Sequence, residues 1–245
     1  MTTIFGTQEA SASFLVAQAV TALLVGLIVK AAAGFKDASA ALGFYGVYHR
    51  EPLNQLIHFF GVPLILWTIL LMVAHLPLPF LGKYSIKIPL TKKHPITWAT
   101  LVTAGYTIFY LEIDLLGGIL YAPFLYGMYV SAVNLRDDDQ KIAQKKTDGS
   151  HWMGTGKLLQ FALLLHVFAW YVQIHPGHAI FEGAKPAVLD SFGGALTSAP
   201  LFAFYEGVWL LGINKGLQER TNVLVAKYTA ELCAAGAAMR VCESL

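Results

Sequence analysis

His49 and His58 stand nine residues apart, with Tyr45, Tyr48 and Asn54 around them, directly before and inside a long apolar run. A second pair, His175 and His178, closes a later apolar run and is followed by Glu182. Neutral imidazole suits Fe, Zn, Cu and Ni, and two or three histidines with a carboxylate and open positions suit non-haem Fe(II). A polar cluster at the mouth of an apolar segment costs free energy unless its groups are satisfied, so such a cluster points to a site. Four imidazoles from two places in the chain are enough to surround one ion.

Spacing refines this. Nine residues are about 900° around an ideal α-helix, so His49 and His58 on one unbroken helix would point apart. Pro52 breaks that continuity and puts His49 in the preceding turn or helix end. His175 and His178 are separated by Pro176-Gly177, which reads as a turn and not as a helix face. The other histidines, His75, His94, His151 and His166, read as hydrogen-bonded structural residues, and Glu206 as a structural hydrogen-bonder in its helix. Tyr45 and Tyr48 fit an interfacial aromatic belt equally well. Asp137-Asp138-Asp139 reads as a solvated face more readily than as a divalent-cation site. Cys233 and Cys242 suggest neither a disulfide framework nor a zinc site.

The elements that must position these residues are set by composition. Of 245 residues, 56% are hydrophobic and 13% charged, and the mean hydropathy is +0.56. A soluble domain has about a quarter of its residues charged, so this is a polytopic membrane protein. A net charge of +2 with no basic stripe excludes a nucleic-acid partner. There is no phosphate-binding glycine loop, nucleophile elbow or dinucleotide fingerprint. The expected fold is all-α: about five to six apolar helices whose histidine-bearing loops converge on one metal site in the lipid bilayer. The runs are 10–29, 53–81 with Pro63 inside it, 94–111, 115–135, 158–174 and 191–214. Residues 34–42 read as a linker, 136–157 as a solvated loop and 222–245 as an amphipathic tail. The expected division is 1–40, an N-terminal helix and linker; 41–215, the catalytic domain; and 216–245, the tail. If the five runs after residue 50 each cross once, both histidine pairs reach one face. The tail and 13 of the 17 lysines and arginines reach the other, which the positive-inside rule makes cytosolic.

Two stretches carry a resemblance. They are Phe44-Tyr45-Gly46-Val47-Tyr48-His49 with Asn54-Gln55-Leu56-Ile57-His58-Phe59-Phe60-Gly61-Val62-Pro63, and Gln173-Ile174-His175-Pro176-Gly177-His178 with Phe181-Glu182-Gly183 and Lys185-Pro186-Ala187. Over roughly residues 42–220 the chain resembles the fungal 2-hydroxy fatty acid (2-hydroxypalmitate) dioxygenase family of the endoplasmic reticulum membrane. The resemblance implies Fe(II) as cofactor. It implies O2 and a long-chain 2-hydroxy fatty acid as substrates, the acid one carbon shorter as product, and a place in phytosphingosine degradation. It makes His49, His58 and His178 the catalytic iron ligands, with His175 as a fourth ligand or a supporting group. Tyr48, Asn54 and Glu182 would then support the ligands, Glu182 by orienting an imidazole. The basic residue that usually follows Phe-Glu-Gly is here Ala184, so Lys185 would have to meet the substrate carboxylate. Chelation of a hydroxy-carboxylate beside O2 calls for such a metal, and helices 53–81 and 158–174 would hold the acyl chain. Another histidine-iron lipid oxidase would carry His-x-x-His-His pairs, which are absent. A non-catalytic scaffold or lipid carrier with structural histidines is the alternative from another class.

Overall fold

The computed structural model describes residues 12–144, 156–237 and 239–244. Among them are eight α-helices and two strands of two residues each, so the chain is an all-α helical membrane protein. Four segments are long and apolar enough to cross a membrane: α1 (Ala12–Ala32), α3 (Pro52–Ala74), α5 (Leu115–Gln144) and α6 (Lys157–Val172) with its extension to Glu182. At about 1.5 Å per residue, 21 residues already match the roughly 30 Å hydrocarbon core. The shorter α4 (Trp98–Ile113) forms the expected hairpin with α5.

Local chemistry sets the helix starts. Asp37 caps α2 (Ala38–Gly46), its Oδ1 accepting from the Ala40 N–H at 3.0 Å. Most of the stretch expected as a linker is therefore cap and helix. Glu51 caps α3 by accepting from Leu53 and Asn54 N–H at 2.7 and 3.0 Å, with Pro52 at the first helical position. At the far end α5 runs on to Gln144, into the stretch expected as a solvated loop, and Arg136, Asp137 and Asp139 are buried. Buried charge requires pairing. Arg136 Nη1 lies 2.6 Å from Asp137 Oδ1, and Asp139 Oδ2 lies 4.0 Å from His75 Nε2. Residues 145–155 of that loop, with His151, lie outside the described residues.

The bundle has two ends. At one, Gln18 of α1 donates to the Pro77 carbonyl (2.9 Å) and accepts from Trp98 Nε1 (2.5 Å), while Asn134 of α5 donates to the Leu90 carbonyl (2.9 Å). At the other lie α2, the start of α3, the α4–α5 hairpin tip and the end of α6. Helix α7 (Phe192–Leu210) does not run between them. Near its start, a Cβ on Gly193 would lie 2.7 Å from the Leu27 carbonyl, and one on Gly194 would lie 3.2 Å from the Phe44 ring. Towards its end, the Tyr205 hydroxyl donates to the Asp114 carboxylate at the hairpin tip, and Gly207 meets Phe59. Both ends are held at the histidine end, so α7 lies across it.

This corrects the expected alternation. Helix α8 (Lys215–Ala234) packs along α2, and beyond it Arg240 donates to the Phe181 and Ile180 carbonyls at 2.9 and 3.2 Å. The tail therefore shares the histidine end. Lys215, Arg220, Lys227 and Arg240 join Lys30, Lys36, Arg50 and Lys185 there, which makes eight of the 17 basic residues and removes the charge asymmetry. Cys233 and Cys242, whose spacing suggested no disulfide framework, are disulfide-bonded, with Cα atoms 5.4 Å apart. The reversal after α8 through Gly236, at φ +81°, brings them together, a proximity that spacing alone does not reveal.

Candidate metal centre

Three imidazoles meet at the histidine end. His49 leaves the turn after α2, His58 sits almost two turns into α3, and His178 lies in a π-helical extension of α6, Gln173–Glu182. The ring centroids are 4.3 Å apart for His49 and His58, 4.8 Å for His49 and His178, and 5.0 Å for His58 and His178. All three residues are buried, and one ring nitrogen from each lies within 4.8 Å of the others.

Hydrogen bonds fix which nitrogens are available. His49 Nδ1 lies 2.8 Å from the Tyr45 carbonyl, and His58 Nδ1 lies 2.9 Å from the Asn54 carbonyl. A carbonyl only accepts, so each Nδ1 carries the proton and each Nε2 keeps its lone pair. Among the described residues, His49 Nε2 and His178 Nδ1 are buried without a hydrogen-bond partner, which costs about 1–3 kcal/mol each when nothing binds them. Burial, and then the neighbouring imidazoles of His58 and His178, hold the His49 ring neutral, well below the usual histidine range. Neutral imidazoles whose free nitrogens converge in a dry site are the donor set of a divalent transition metal, so the residues present fit a metal ion.

The remaining candidates fall elsewhere. His175 is exposed, with its ring 5.5 Å from Tyr171, and does not join the three. In an α-helix, residues three apart share a face. The π-helix, with i→i+5 bonds, adds a residue to the turn and directs the two rings apart. The expected turn at Pro176-Gly177 is thus a wide helical turn. Gly177 is required there, because a Cβ would lie 2.6 Å from Asn54 Oδ1.

Glu182 orients no imidazole directly. Its carboxylate accepts from the backbone N–H of Arg50 (3.0 and 3.1 Å) and Glu51 (3.0 Å) and from Asn54 Nδ2 (3.0 Å). It clamps the π segment to the strand of chain between His49 and α3. Asn54 joins both sides, since its carbonyl holds His58 while its side chain also reaches the Tyr48 carbonyl at 3.4 Å. The Tyr48 hydroxyl turns to Asp190 at 2.6 Å. Asp190 also engages Lys185 (2.5 Å), and Ala184 is buried in a bridge with Met239.

Two residues hold places that the sequence reading did not give them. Tyr45 stacks on His49 at 3.9 Å and 11° between planes, a contact that their four-residue spacing could have signalled. Glu206 has both carboxyl oxygens buried and without a hydrogen-bond partner among the described residues, so it is not the structural hydrogen-bonder expected. It lines a cavity with His49 because α7 lies across the bundle end. The histidines read as structural are hydrogen-bonded: His166 to Thr68 Oγ1 (2.9 Å) and Trp170 Nε1 (3.0 Å), His94 to the Pro95 carbonyl (3.0 Å), and His75 to the Leu71 carbonyl (2.9 Å).

Room for a ligand is also redistributed. Between α3 and α6, where an acyl slot was expected, Gln173 packs on Gly61 and the cavity touching all three histidines is about 50 Å³. A cavity of about 670 Å³ opens instead between α3, α7 and α8, and His49 forms part of both walls. Ligand pockets of roughly 300–1,000 Å³ are the usual size for small molecules.

The family model described as 2-hydroxy-palmitic acid dioxygenase Mpo1-like matches residues 35–208, a span containing all three histidines and Glu206. The 2-hydroxy-palmitic acid dioxygenase MPO1 of Saccharomyces cerevisiae is 27% identical over 185 residues, covering 76% of this chain and 87% of the yeast protein. No solved structure matches. The chain belongs to the Mpo1-like family.

Proposed function

We propose that this protein is an Fe(II)-dependent dioxygenase of the endoplasmic reticulum membrane. It uses O2 to cleave long-chain 2-hydroxy fatty acids to the acid one carbon shorter, a reaction of phytosphingosine degradation. The observation that carries this reading is the trio of buried imidazoles with ring nitrogens within 4.8 Å of one another, those of His49 and His178 unpartnered among the described residues, beside a largely apolar cavity of about 670 Å³. The name of the yeast relative supports the substrate class.

His49 and His58 through Nε2, and His178 through Nδ1, would hold the iron. Bound there, iron supplies the open positions and redox capacity for O2 and a hydroxy-carboxylate. The protein does the rest. The Tyr45 and Asn54 carbonyls fix two ring orientations and keep their protons on Nδ1. Burial of all three rings excludes bulk water. Leu56, Phe59, Phe60, Trp209 and Leu210 line the larger cavity and give the acyl chain an apolar wall.

The test is to load the detergent-purified protein with ferrous iron, measure metal content, and incubate it with 2-hydroxypalmitate under O2. The expected result is about one equivalent of iron and formation of the 15-carbon acid. Less than about a tenth of an equivalent of any transition metal, with no product, would favour a scaffold or lipid carrier.

A further inference from the structure

Glu206 and Arg50 belong to the wall that His49 shares with the larger cavity, and the triad uses neither side chain. Phe202 and Glu206 are four residues apart on α7 and share a face. The Phe202 ring lies 5.8 Å from the His49 ring and 5.1 Å from the Tyr45 ring, which brings Glu206 to the His49 side of the cavity. Both oxygens of its carboxyl group are buried and unpartnered among the described residues. A buried carboxyl group in that state is costly until a hydrogen-bond partner arrives. Arg50 is exposed at the same cavity, anchored through its backbone N–H to Glu182. Among the described residues, no hydrogen bond or ion pair engages its guanidinium. Lys185, which the sequence offered as the carboxylate partner, is tied to Asp190. The cavity therefore presents one cation, one carboxyl group without a partner, four further polar side chains (Gln55, Gln218, Thr221 and Asn222), and an apolar wall of Leu56, Phe59, Phe60, Trp209 and Leu210. That pattern complements an acid with a hydroxyl beside its carboxylate and a long chain behind it.

Resting on the reading of the trio as the iron site of a 2-hydroxy acid dioxygenase, we propose that Arg50 and Glu206 select the substrate head group. Arg50 binds the carboxylate, and Glu206 accepts a hydrogen bond from the 2-hydroxyl. A fatty acid without the hydroxyl leaves the buried Glu206 carboxyl group without a partner. Sites built to bond a substrate hydroxyl reject the analogue that lacks it far more strongly than apolar pockets reject a shape change.

The experiment measures Kd for 2-hydroxypalmitate and for palmitate on the iron-loaded protein without O2, so that no turnover intervenes. Iron content is read in every sample. Wild type should prefer the hydroxy acid by about a hundredfold or more. Glu206→Leu should lose at least tenfold of that preference, chiefly by binding palmitate more tightly, with iron content unchanged. Glu206→Gln keeps an acceptor oxygen and should retain most of the preference. Arg50→Met should weaken both acids by the same factor, since both carry the carboxylate. An unchanged preference in Glu206→Leu with full iron would assign the discrimination to the metal alone and overturn the proposal. An Arg50→Met effect confined to the hydroxy acid would do the same. Failure of wild type to form the 15-carbon acid under O2 would instead overturn the underlying dioxygenase reading, so the two failures are separable.

Discussion

Histidine occurs in apolar surroundings at both ends of this bundle, and the two ends treat it differently. Away from the site, His166 uses both ring nitrogens, on Thr68 and Trp170, and His94 holds the Pro95 carbonyl with its Nε2 3.5 Å from the Tyr129 hydroxyl. His75 pairs with the Leu71 carbonyl and stands 4.0 Å from Asp139. At the histidine end, His49 spends one nitrogen on a carbonyl and leaves the other aimed at two further imidazoles. Burial does not separate the two sets, because His94 is as buried as His49. What separates them is convergence. His75 also leaves a buried Nε2 without a hydrogen bond among the described residues, but it stands alone beside Asp139, whereas His49, His58 and His178 bring their ring nitrogens to one point, as a metal requires.

The comparison assumes that the two ends lie on opposite sides of the membrane, and impermeant cysteine labelling can break it outright. In a Cys233→Ser, Cys242→Ser background, Lys87→Cys and Asp138→Cys should label from one side only, and Lys185→Cys and Lys227→Cys only from the other. The latter should be the oxidising side, where the native disulfide persists. Lys227→Cys labelling together with Lys87→Cys would restore a membrane-crossing α7. Next in size is metal retention. His58→Ala and His178→Ala should lower iron affinity by more than about a hundredfold, beyond the 10–100-fold typical of groups behind the ligands. His166→Ala should leave iron content at wild-type level while costing stability. Equal loss of iron in all three variants would mean general misfolding and would erase the distinction between the ends.

Much of this was legible in the chain, for physical reasons. Apolar length fixes α3, α5 and α6, and Pro52 after Glu51 marks the break that frees His49 from α3. Motif and side-of-membrane counting brought His49, His58 and His178 together. Helix α7 was not legible, because a helix apolar on all sides is either a membrane span or a buried core element. Only its contacts with Leu27, Phe44, Asp114 and Phe59 decide the matter. Glu206 was misread as a consequence, since its neighbours depend on how α7 lies. The π turn that parts His175 from His178 adds a single residue of register, which no periodicity at this length resolves. The fold of α8 against α2 depends on close packing over Gly46, where a Cβ would lie 2.8 Å from Val225 and 3.1 Å from Phe202. Hydropathy carries no trace of that.

Glu182 tests whether the histidine end is held by its clamp or by the metal. Its carboxylate takes two backbone N–H groups and the Asn54 amide, and Glu182→Ala leaves all three without that partner. Hydrogen bonds to a charged acceptor contribute about 1.5–3 kcal/mol each, and they are not additive, so a loss near 3 kcal/mol is expected overall. Iron affinity should fall about 10–100-fold because the π segment bearing His178 loses its tie to the turn bearing His49. Thermal unfolding and metal titration read the two effects separately. Full iron affinity at lowered stability would show that the rings hold their places without the clamp.

The smallest expected effect isolates the stacking of Tyr45 on His49, at 3.9 Å and 11°, from the hydrogen bond that the same residue makes through its carbonyl. Tyr45→Leu keeps the carbonyl and removes the ring, while Tyr45→Phe keeps both. Aromatic pairs contribute about 0.5–1.5 kcal/mol beyond the area they bury, and 1.4 kcal/mol is tenfold in affinity. Tyr45→Leu should therefore weaken iron binding by roughly two- to tenfold, and Tyr45→Phe should match wild type. At the other end, His94 meets Tyr129 at 6.0 Å and 65°, an edge contact without stacking, so Tyr129→Leu should cost packing energy and leave the metal untouched. Metal titration of the three variants is enough to decide. If Tyr45→Leu binds iron as tightly as Tyr45→Phe, the carbonyl alone holds the His49 ring. The contrast between the two ends would then reduce to hydrogen bonding, with no part left for the aromatic shelf beneath the ligand.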